Sequence, residues 1–309
     1  MKAVRIHNYG GSEVLKIEDI PIPDYADDDL LIKIYATSVN PVDWKVREGY
    51  LQGMNLHTLP LTLGWDVSGV VEKIGSSVKR FKVGDEVYTR PSIDRDGSYA
   101  EYIAVKESIV DHKPKSITHV EAASIPLAGL TAWTALVKTA EIGPGKRVLI
   151  HAAAGGVGSL AVQIAREKGC YIIGTASEKN LGFVLNLGAH EVIDYHNQDF
   201  SEIVKDVDVV FDTIGGETME KSWKILKKEG MLVSIAGQPD PEKAKEYNVR
   251  SSSVFVQPDA SILETLRQLI DTGNLKPIIG NVFTLDEIKK AQDLCQSGRA
   301  RGKIVIKVI

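Results

Sequence analysis

Cysteine, long apolar runs and an excess of charge of one sign are scarce or missing in this sequence. Only two cysteines occur in 309 residues, Cys170 and Cys295, so a disulfide framework and a four-cysteine zinc site within one chain are excluded. No apolar run approaches the roughly 18 residues of a membrane span. With 37 basic and 41 acidic residues, the net charge of -4 gives no electrostatic basis for nucleic acid or anionic membrane as a partner.

Motifs of nucleophilic and metal-dependent hydrolysis are absent as well. There is no G-x-S-x-G and no H-E-x-x-H, and the seven histidines show no metal-ligand spacing. His151 lies at a strand end beside a glycine-rich turn, where it is either a general base or a packed strand-end side chain, and the second interpretation is favoured. The segment MKAVRI resembles a strand and lacks a secretory signal pattern, so we expect a cytoplasmic protein.

The length of 309 residues, at about 150 per domain, predicts roughly two domains. Residues 1–112 show no helical periodicity and contain short β-type runs separated by Gly, Pro and Asp. These runs predict a compact, mostly antiparallel β domain with strands near Ala3–Ile6, Leu30–Ala36, Val67–Ile74, Glu86–Thr89 and Tyr99–Val105.

From about residue 116 the pattern changes to alternating helices and apolar strands. This alternation predicts a doubly wound, Rossmann-type parallel sheet with helices on both faces, the α/β class. The predicted strands are Val148–His151, Tyr171–Thr175, Glu191–Asp194, Asp208–Asp212, Met231–Ala236 and Ser253–Val256. The predicted helices are Val120–Ala123, Ala128–Thr139, Ser159–Lys168, Leu181–Leu187, Phe200–Lys205, Met219–Lys228 and Ile262–Ile270.

The last segment has a strand, helix, strand pattern. A strand at Ile278–Phe283 is followed by Thr284 and Glu287 in a capping box, and a strand is predicted at Gly302–Val308. We expect this tail to fold back onto the N-terminal β domain. The predicted domains are therefore 1–117 with 274–309, and 118–273.

The segment RVLIHAAAGGVGSLAVQIA, residues 147–165, carries the most specific local signal. A strand and a helix flank Ala153-x-Gly155-x-x-Gly158, so backbone N–H groups and a helix N-terminus converge where a dinucleotide diphosphate binds. Gly155 lets the diphosphate approach and Gly158 lets the helix pack closely on the strand, whereas Ala153 replaces the usual first glycine. The alternative is an ordinary glycine-rich turn.

The end of the second strand indicates which dinucleotide binds. An NAD enzyme carries an acidic residue about 20 residues beyond the glycines, on the ribose hydroxyls. Here Ala176 and Ser177 occupy that turn, and Lys179 is within reach of a 2′-phosphate, so NADP is favoured. Glu178 would repel that phosphate if it turned inward; the alternative is a solvated loop carboxylate.

Seven motifs occur in the order of one family: Ser38-Val-Asn-Pro-Val-Asp43, Leu63-Gly-Trp-Asp66-Val-Ser-Gly69, Val83-Gly-Asp-Glu-Val87, Gly97-Ser-Tyr-Ala-Glu-Tyr102, Ile125-Pro-Leu-Ala-Gly-Leu-Thr-Ala132, Ala153-Ala-Gly-Gly-Val-Gly158 and Gly302-Lys-Ile-Val305. Over essentially its whole length the chain resembles the medium-chain dehydrogenase/reductase superfamily, in its zinc-independent NADPH:quinone oxidoreductase branch. The resemblance implies a GroES-like β domain beside the Rossmann-type domain.

The resemblance also implies a chemistry. Asn40, Trp65 and Leu127 stand where zinc-dependent relatives carry metal ligands, so no metal is expected. The implied reaction is hydride transfer from NADPH to a quinone or an α,β-unsaturated carbonyl. Asn40 and Asp43 are implied beside the nicotinamide, with Lys45 and Tyr50 as donors to the acceptor oxygen. Alternatively, Asp43 caps a local helical turn and Tyr50 lies in a surface loop.

Cofactor contacts follow from the resemblance position by position. Thr131 is implied at the nicotinamide, and the diphosphate is implied on the turn formed by Ala153, Gly155, Gly156, Val157 and Gly158. Ser177, Lys179 and Tyr195 are implied around the 2′-phosphate. Ile214, Ala236, Gly237, Phe255 and Val256 follow later strands and are implied in the ligand crevice. Arg299, Arg301 and Lys303 either add to the phosphate pocket or form a solvated basic cluster.

Two other functions stay open. An enoyl or 2-alkenal reductase would use the same machinery on a different acceptor, and a non-catalytic NADPH-binding protein would bind the cofactor without turnover. The resemblance further implies a homodimer formed by edge strands of the parallel sheet, near Ser253–Val256.

Overall fold

The computed structural model describes all 309 residues, and its contacts divide the chain into two compact units. We call Met1–Leu127, Gln257–Gly273 and Pro277–Ile309 the antiparallel unit, and Ala128–Val256 with Asn274–Lys276 the parallel-sheet unit. This division differs from the domains predicted from the sequence at residues 118–127, 257–273 and 274–276. The predicted boundaries stay a prediction.

Short strands dominate the first 127 residues, as the β-type runs predict. The elements in chain order are β1 (Lys2–Ile6), β2 (Lys16–Asp19), β3 (Asp29–Val39), α1 (Pro41–Arg47), β4 (Leu61–Thr62), β5 (Val67–Ile74), β6 (Glu86–Thr89), β7 (Tyr102–Lys106), β8 (Val110–His112), α2 (His119–Ala122) and the first residues of α3 (Pro126–Trp133). Every strand pair among β1 to β8 is antiparallel.

Helix α1 lies within residues 1–112, where the sequence shows no helical periodicity. Pro41 stands at the first helical position, where its missing N–H costs nothing. The Asp43 carboxylate accepts a hydrogen bond from the backbone N–H of Asn40 at 2.7 Å, which closes the N-terminus. With only seven residues, the helix is too short for its apolar period to stand out from the surrounding β runs.

The parallel-sheet unit contains the predicted alternation. After a π-helical stretch at Thr134–Thr139, the elements are β9 (Arg147–Ile150), α4 (Gly156–Glu167), β10 (Tyr171–Ala176), α5 (Leu181–Leu187), β11 (Glu191–Asp194), α6 (Phe200–Ile203), β12 (Val207–Asp212), α7 (Gly216–Ser222), β13 (Leu226–Ser234), α8 (Pro241–Glu246) and β14 (Arg250–Ser253). The sheet order is β11-β10-β9-β12-β13-β14, with every neighbour parallel. The six-stranded, doubly wound prediction is confirmed, and strand order reverses between β9 and β12.

Three elements of this unit differ from the prediction. The helix predicted at Met219–Lys228 ends at Ser222, and β13 begins at Leu226, because its first residues extend past the core with exposed lysines. The last strand lies at Arg250–Ser253 rather than Ser253–Val256; its sequence RSSS has no apolar pattern, since it lies at the sheet edge. Helix α8, which Asp240 caps, was missed.

The tail folds back as expected. Its elements are α9 (Ala260–Asp271), β15 (Ile279–Thr284), α10 (Ile288–Gln296) and β16 (Lys303–Lys307). Strand β16 pairs antiparallel with β3, and the resulting sheet has the order β15-β16-β3-β5-β6-β8, with β7 also on β3. The capping box of Thr284 and Glu287 is confirmed. No helix in the structure combines the length and the apolar character that crossing a membrane requires.

Candidate functional site

The turn between β9 and α4 presents backbone N–H groups without a capping side chain. Gly155 is the N-cap of α4 with extended backbone, and no side chain bonds to the first amides of the helix. The Gly155 N–H itself donates to the carbonyl oxygen of Ala152 at 2.9 Å, which tightens the turn. Since the first turn of a helix has no internal acceptors for its N–H groups, this end of α4 favours an anion. The predicted strand, glycine turn and helix are confirmed.

Gly158 is required by close packing of α4 on that turn. A Cβ added at Gly158 would lie 2.9 Å from the carbonyl carbon of Ala152 and from Cα of Ala153, closer than a real Cβ approaches backbone. A Cβ on Gly174 of β10 would lie 2.9 Å from Cβ of Ala153. These contacts explain why only small residues fit there. Free amides beside an unobstructed turn fit the diphosphate of a dinucleotide.

The turns that follow β10 and β11 lie side by side at the carboxyl ends of these two strands. They carry Ser177, Lys179 and Tyr195. Strands β10 and β11 are parallel neighbours, and the N–H of Tyr195 donates to the carbonyl of Ala176 at 3.2 Å. Lys179 is exposed in the turn after β10, and Tyr195 is exposed after β11. Glu178 is exposed as well, so its interpretation as a solvated carboxylate is confirmed.

Two further turns at this edge are held by side chains that sequence reasoning missed. Oδ1 of Asp212 accepts the N–H of Ile214 at 3.0 Å, and Oδ2 accepts the hydroxyl of Ser234 at 2.7 Å. The Ser234 oxygen in turn accepts the N–H groups of Ala236 at 3.1 Å and Gly237 at 3.3 Å. The turns after β12 and β13 are therefore fixed by one buried pair. The sequence contains a signal for this pair. Asp212 ends a buried apolar strand, so its carboxylate needs hydrogen-bond donors inside the protein.

Large apolar side chains are exposed at the same edge of the parallel sheet. Ile214 follows β12, and Phe255 follows β14 by two residues; each leaves about half of its surface accessible. Val256 is half-buried, and Thr131 is buried in α3. Exposed aromatic and branched side chains beside an anion-binding turn suit a ligand that joins flat rings to phosphates.

His151 is a packed residue, as the favoured interpretation states. Its two ring nitrogens lie 3.2 Å from the hydroxyl of Thr175 and 3.0 Å from that of Ser222. Complete burial lowers its pKa to about 4, so the ring is neutral at physiological pH. With both nitrogens engaged inside the protein, it has no free position for a substrate proton.

A buried polar cluster in the antiparallel unit joins Asn40, Asp66 and Lys303. Asp66 Oδ2 accepts from the hydroxyl of Ser38, from Asn40 Nδ2 at 2.7 Å and from Lys303 Nζ at 3.3 Å, while Oδ1 accepts the N–H of Leu127 at 2.7 Å. Lys303 also donates to Asn40 Oδ1. It is only 4 % exposed, so its assignment to a phosphate pocket or a solvated cluster is wrong.

The three positions compared with zinc ligands carry no metal-binding set. Asn40 belongs to the polar cluster, and Trp65 is fully buried in the hydrophobic core with its ring 6.0 Å from His57. Leu127 contributes its backbone N–H to Asp66. No group of three or more His, Cys, Asp or Glu side chains is arranged to hold a metal ion.

Asp43 lies beside this cluster, and its role as a cap is confirmed. Oδ2 accepts the Asn40 N–H and the hydroxyl of Tyr99, whereas Oδ1 is buried with no partner. Complete burial raises the pKa of this carboxyl to about 7. The predicted donors lie nearby in the chain: Lys45 places its ammonium 5.7 Å from the Trp44 ring centroid, and Tyr50 is 70 % exposed in a surface loop. Catalytic roles for these residues stay predictions.

The raised pKa of Asp43 predicts a pH-dependent stability. The folded pKa of about 7 exceeds the ordinary value of 3.8, so between these two pH values the folded state holds a proton that the unfolded state has released. The free energy of unfolding therefore falls as the pH rises from 3.8 to about 7. Asp43→Asn removes the titrating group. Two pH units separate pH 5 from the pKa of Asp43, so at about 1.4 kcal/mol per unit the variant should gain about 3 kcal/mol relative to the unsubstituted protein between pH 5 and pH 8.

Urea unfolding at pH 5, 6, 7 and 8 measures this difference in the free energy of unfolding. Asp293→Asn, at an exposed position of α10, is the control and should show no such trend. A constant difference between Asp43→Asn and the unsubstituted protein across the range would mean that Asp43 is ionised throughout.

Sequence profiles of known families match two parts of the chain. A profile described as an alcohol dehydrogenase GroES-like domain matches residues 26–115, and one described as a zinc-binding dehydrogenase matches residues 187–306. Together they cover strands β3 to β8 of the antiparallel unit and most of the second half of the chain.

Curated relatives and solved structures match over nearly the whole chain. The 2-methylene-furan-3-one reductase of Solanum lycopersicum is 38% identical, over 99% of this chain and 79% of the relative. The NADPH-dependent alkenal/one oxidoreductase of Arabidopsis thaliana, a chloroplastic protein, is 37% identical with the same coverage. The structure of the quinone oxidoreductase from Coxiella burnetii superposes with a TM-score of 0.94 at 38% identity, over 100% of this chain and 99% of that one.

Proposed function

The chain belongs to the medium-chain dehydrogenase/reductase superfamily, in its quinone oxidoreductase branch, and we propose that it is an oxidoreductase that transfers hydride from NADPH to a quinone or an α,β-unsaturated carbonyl. One observation carries the proposal: the amide-lined turn at Gly155 to Gly158 fits a dinucleotide diphosphate. NADPH as the cofactor, and quinones and α,β-unsaturated carbonyls as the acceptors, are inferred from the names of the relatives.

The protein's own part in this reaction is to bind and orient. When bound, NADPH supplies the hydride from its nicotinamide ring. The α4 amides hold the diphosphate, and the Asp212–Ser234 pair fixes two turns at the same sheet edge. Thr131, Ile214, Ala236, Gly237, Phe255 and Val256 are proposed to line the rest of the cofactor site. Asn40, Asp43, Lys45 and Tyr50 are proposed on the acceptor side.

Preference for NADPH over NADH is proposed to come from the turn after β10. Lys179 is exposed beside Ser177 and Tyr195, and no acidic side chain occupies the place of Ser177. An ammonium near the 2′-phosphate should make NADPH bind at least tenfold more tightly than NADH, about 1.4 kcal/mol. Fluorescence titration of both cofactors measures the ratio.

Lys179→Ala should lower the affinity for NADPH about tenfold and leave that for NADH unchanged. Glu178→Gln, a change at the exposed neighbour, is the matched control and should not weaken NADPH binding. Equal affinities of the unsubstituted protein for NADPH and NADH would remove the role of Lys179.

We propose that the reaction proceeds without zinc. Two observations support this. The Lys303 ammonium donates hydrogen bonds to the side-chain oxygens of Asn40 and Asp66, and these two side chains are also hydrogen-bonded to each other. The side chains of Trp65 and Leu127 contain no atom that could bind zinc. Without a metal to polarise an alcohol, the acceptor must already be electron-poor, as quinones and enones are. Elemental analysis of the purified protein would contradict this proposal if it found stoichiometric zinc.

Acceptor screening decides between the candidate activities. NADPH oxidation is followed by the loss of the absorbance of reduced nicotinamide, with quinones, 2-alkenals and enones tested in parallel. Preference for 2-alkenals or enones would favour the alkenal reductase, which the two plant relatives suggest. Tight NADPH binding without turnover of any acceptor would instead indicate a non-catalytic binding protein.

We further propose a cytoplasmic homodimer. The edge strand β14 pairs with β13 on one side only, and its polar sequence leaves a free row of backbone groups for a second copy. Both cysteines are unpaired, as is usual in a reducing compartment. Light scattering after gel filtration tests the dimer, and a monomer mass at micromolar concentration would exclude it.

A further inference from the structure

Arg90 is a buried cation without an acceptor. It follows β6 directly and is only 2 % exposed. Its Nε and Nη1 groups are fully buried and bond to nothing in the protein. A buried charge without partners is costly, and proteins normally pair it or neutralise it. Burial lowers the pKa of Arg90 to about 10, with Asp66 the main group opposing that change, so the side chain stays charged at neutral pH.

The carboxylate that acts most strongly on Arg90 is already engaged. Asp66 precedes β5 directly and Arg90 follows β6 directly, and Val67 pairs with Thr89 in the antiparallel ladder of these two strands. Among the nearby charges, Asp66 is the one that most favours the charged form of Arg90. The Asp66 carboxylate nevertheless accepts from Ser38, Asn40, Leu127 and Lys303, and makes no ion pair with Arg90. The fold thus assigns this carboxylate to other donors and leaves the guanidinium unpaired.

We propose that the Arg90 guanidinium binds the oxygen atom of the acceptor that becomes negatively charged during reduction. This inference rests on the proposed function and adds a catalytic residue to it. A guanidinium keeps its charge and presents several N–H donors, which suits an oxygen anion formed away from water. Donors that are fixed and desolvated before the reaction stabilise such a charge most strongly.

The electron balance of the step is simple. Hydride from NADPH adds to the β-carbon of an enone or to a ring carbon of a quinone, and the cofactor becomes NADP⁺. The electron pair of the carbon–carbon double bond shifts so that the conjugated carbonyl oxygen gains the negative charge, which Arg90 stabilises. For an enone, one proton from solvent then completes the saturated ketone. For a quinone, one proton from solvent gives the keto tautomer, and the ring carbon that received the hydride then loses a proton while the second carbonyl oxygen gains one, which forms the hydroquinone. The acceptor gains two electrons, and no other oxidant or reductant takes part.

Arg90→Met tests the role, because methionine fills similar space without charge. We expect kcat/KM for the best quinone or enone to fall at least about 100-fold, as when a donor to an oxyanion is removed, while the Kd for NADPH stays unchanged. Arg90→Lys, which keeps the charge, should recover about tenfold. Arg80→Met, at an exposed arginine beside Phe81, is the matched control and should match the unsubstituted protein.

The melting temperature separates this role from a structural one. Removing an unpaired buried charge should leave the melting temperature of Arg90→Met equal to or above that of the unsubstituted protein. A fall of many degrees that Arg90→Lys reverses would show that the guanidinium holds the fold together, and would overturn the proposal. Unchanged kcat/KM in Arg90→Met would overturn it as well.

Equilibrium dialysis with p-nitrophenolate distinguishes failure of this inference from failure of the proposed function. Phenolate resembles the reduced acceptor and needs no turnover. If no acceptor supports NADPH oxidation but phenolate binds and Arg90→Met abolishes that binding, the oxidoreductase function fails and the anion site stands. If acceptors are reduced but Arg90→Met neither slows reduction nor weakens phenolate binding, the oxidoreductase function stands and the role of Arg90 fails.

Discussion

Gly158→Asp is expected to abolish NADPH binding, with a loss of at least about 100-fold in affinity, or about 2.7 kcal/mol. A side chain at this position meets the backbone of Ala152 and Ala153 at 2.9 Å, so α4 must move away from the turn. The added carboxylate also places negative charge beside the amides that are proposed to hold the diphosphate. Fluorescence titration with NADPH measures the loss.

Two further variants separate the effect on the cofactor from misfolding. Gly155→Asp brings the same charge with less strain, since its Cβ would lie 3.2 Å from the Ala152 oxygen, and it should also weaken NADPH binding while the melting temperature changes little. Gly182→Asp, in α5 where nothing lies within 4 Å, is the control and should bind normally. If folded Gly155→Asp and Gly158→Asp proteins bound NADPH normally, the diphosphate site would lie elsewhere.

Lys303→Met is expected to destabilise the protein by about 3–5 kcal/mol, the usual cost of removing one partner of a buried ion pair. The substitution leaves the Asp66 carboxylate and the Asn40 amide oxygen buried without their cation. The loss should appear in urea unfolding as a lower midpoint with an unchanged slope. Lys307→Met, at an exposed position of the same strand, should stay within about 0.5 kcal/mol of the unsubstituted protein.

A double-mutant cycle identifies Asp66 as the group that Lys303 neutralises. Asp66→Asn in the Lys303→Met background removes the uncompensated charge, so part of the lost stability should return and the two effects should not add. Strict additivity would show that Lys303 stabilises the fold through its packing alone.

The parallel-sheet unit could be predicted well because its signals are local. Apolar strands such as β9 and β12 alternate with amphipathic helices, and the strand, glycine turn and helix at Gly155 to Gly158 form one continuous segment. The missed elements lack that periodicity. Strand β14 has the sequence RSSS at the sheet edge, and α8 is a six-residue polar helix that only its cap, Asp240, marks.

The polar centre of the antiparallel unit could not be predicted, because its partners are distant in the chain. Lys303 and Asp66 are separated by 237 positions, and nothing near Lys303 distinguishes it from the exposed arginines that precede it. Arg90 looks like an ordinary turn arginine until the structure places its buried guanidinium under the influence of Asp66, a carboxylate that four other groups already occupy. Only the tertiary fold relates these charges to one another.

The pairing of β16 with β3 has a consequence for synthesis on the ribosome. All six strands of the parallel sheet lie within residues 147–253, so that sheet can assemble while later codons are still being translated. The strand at residues 29–39 must wait for residues 303–307, which also deliver the ammonium for Asp66. For most of translation the nascent chain therefore carries an unneutralised carboxylate beside an open strand, a state in which chaperones can bind it.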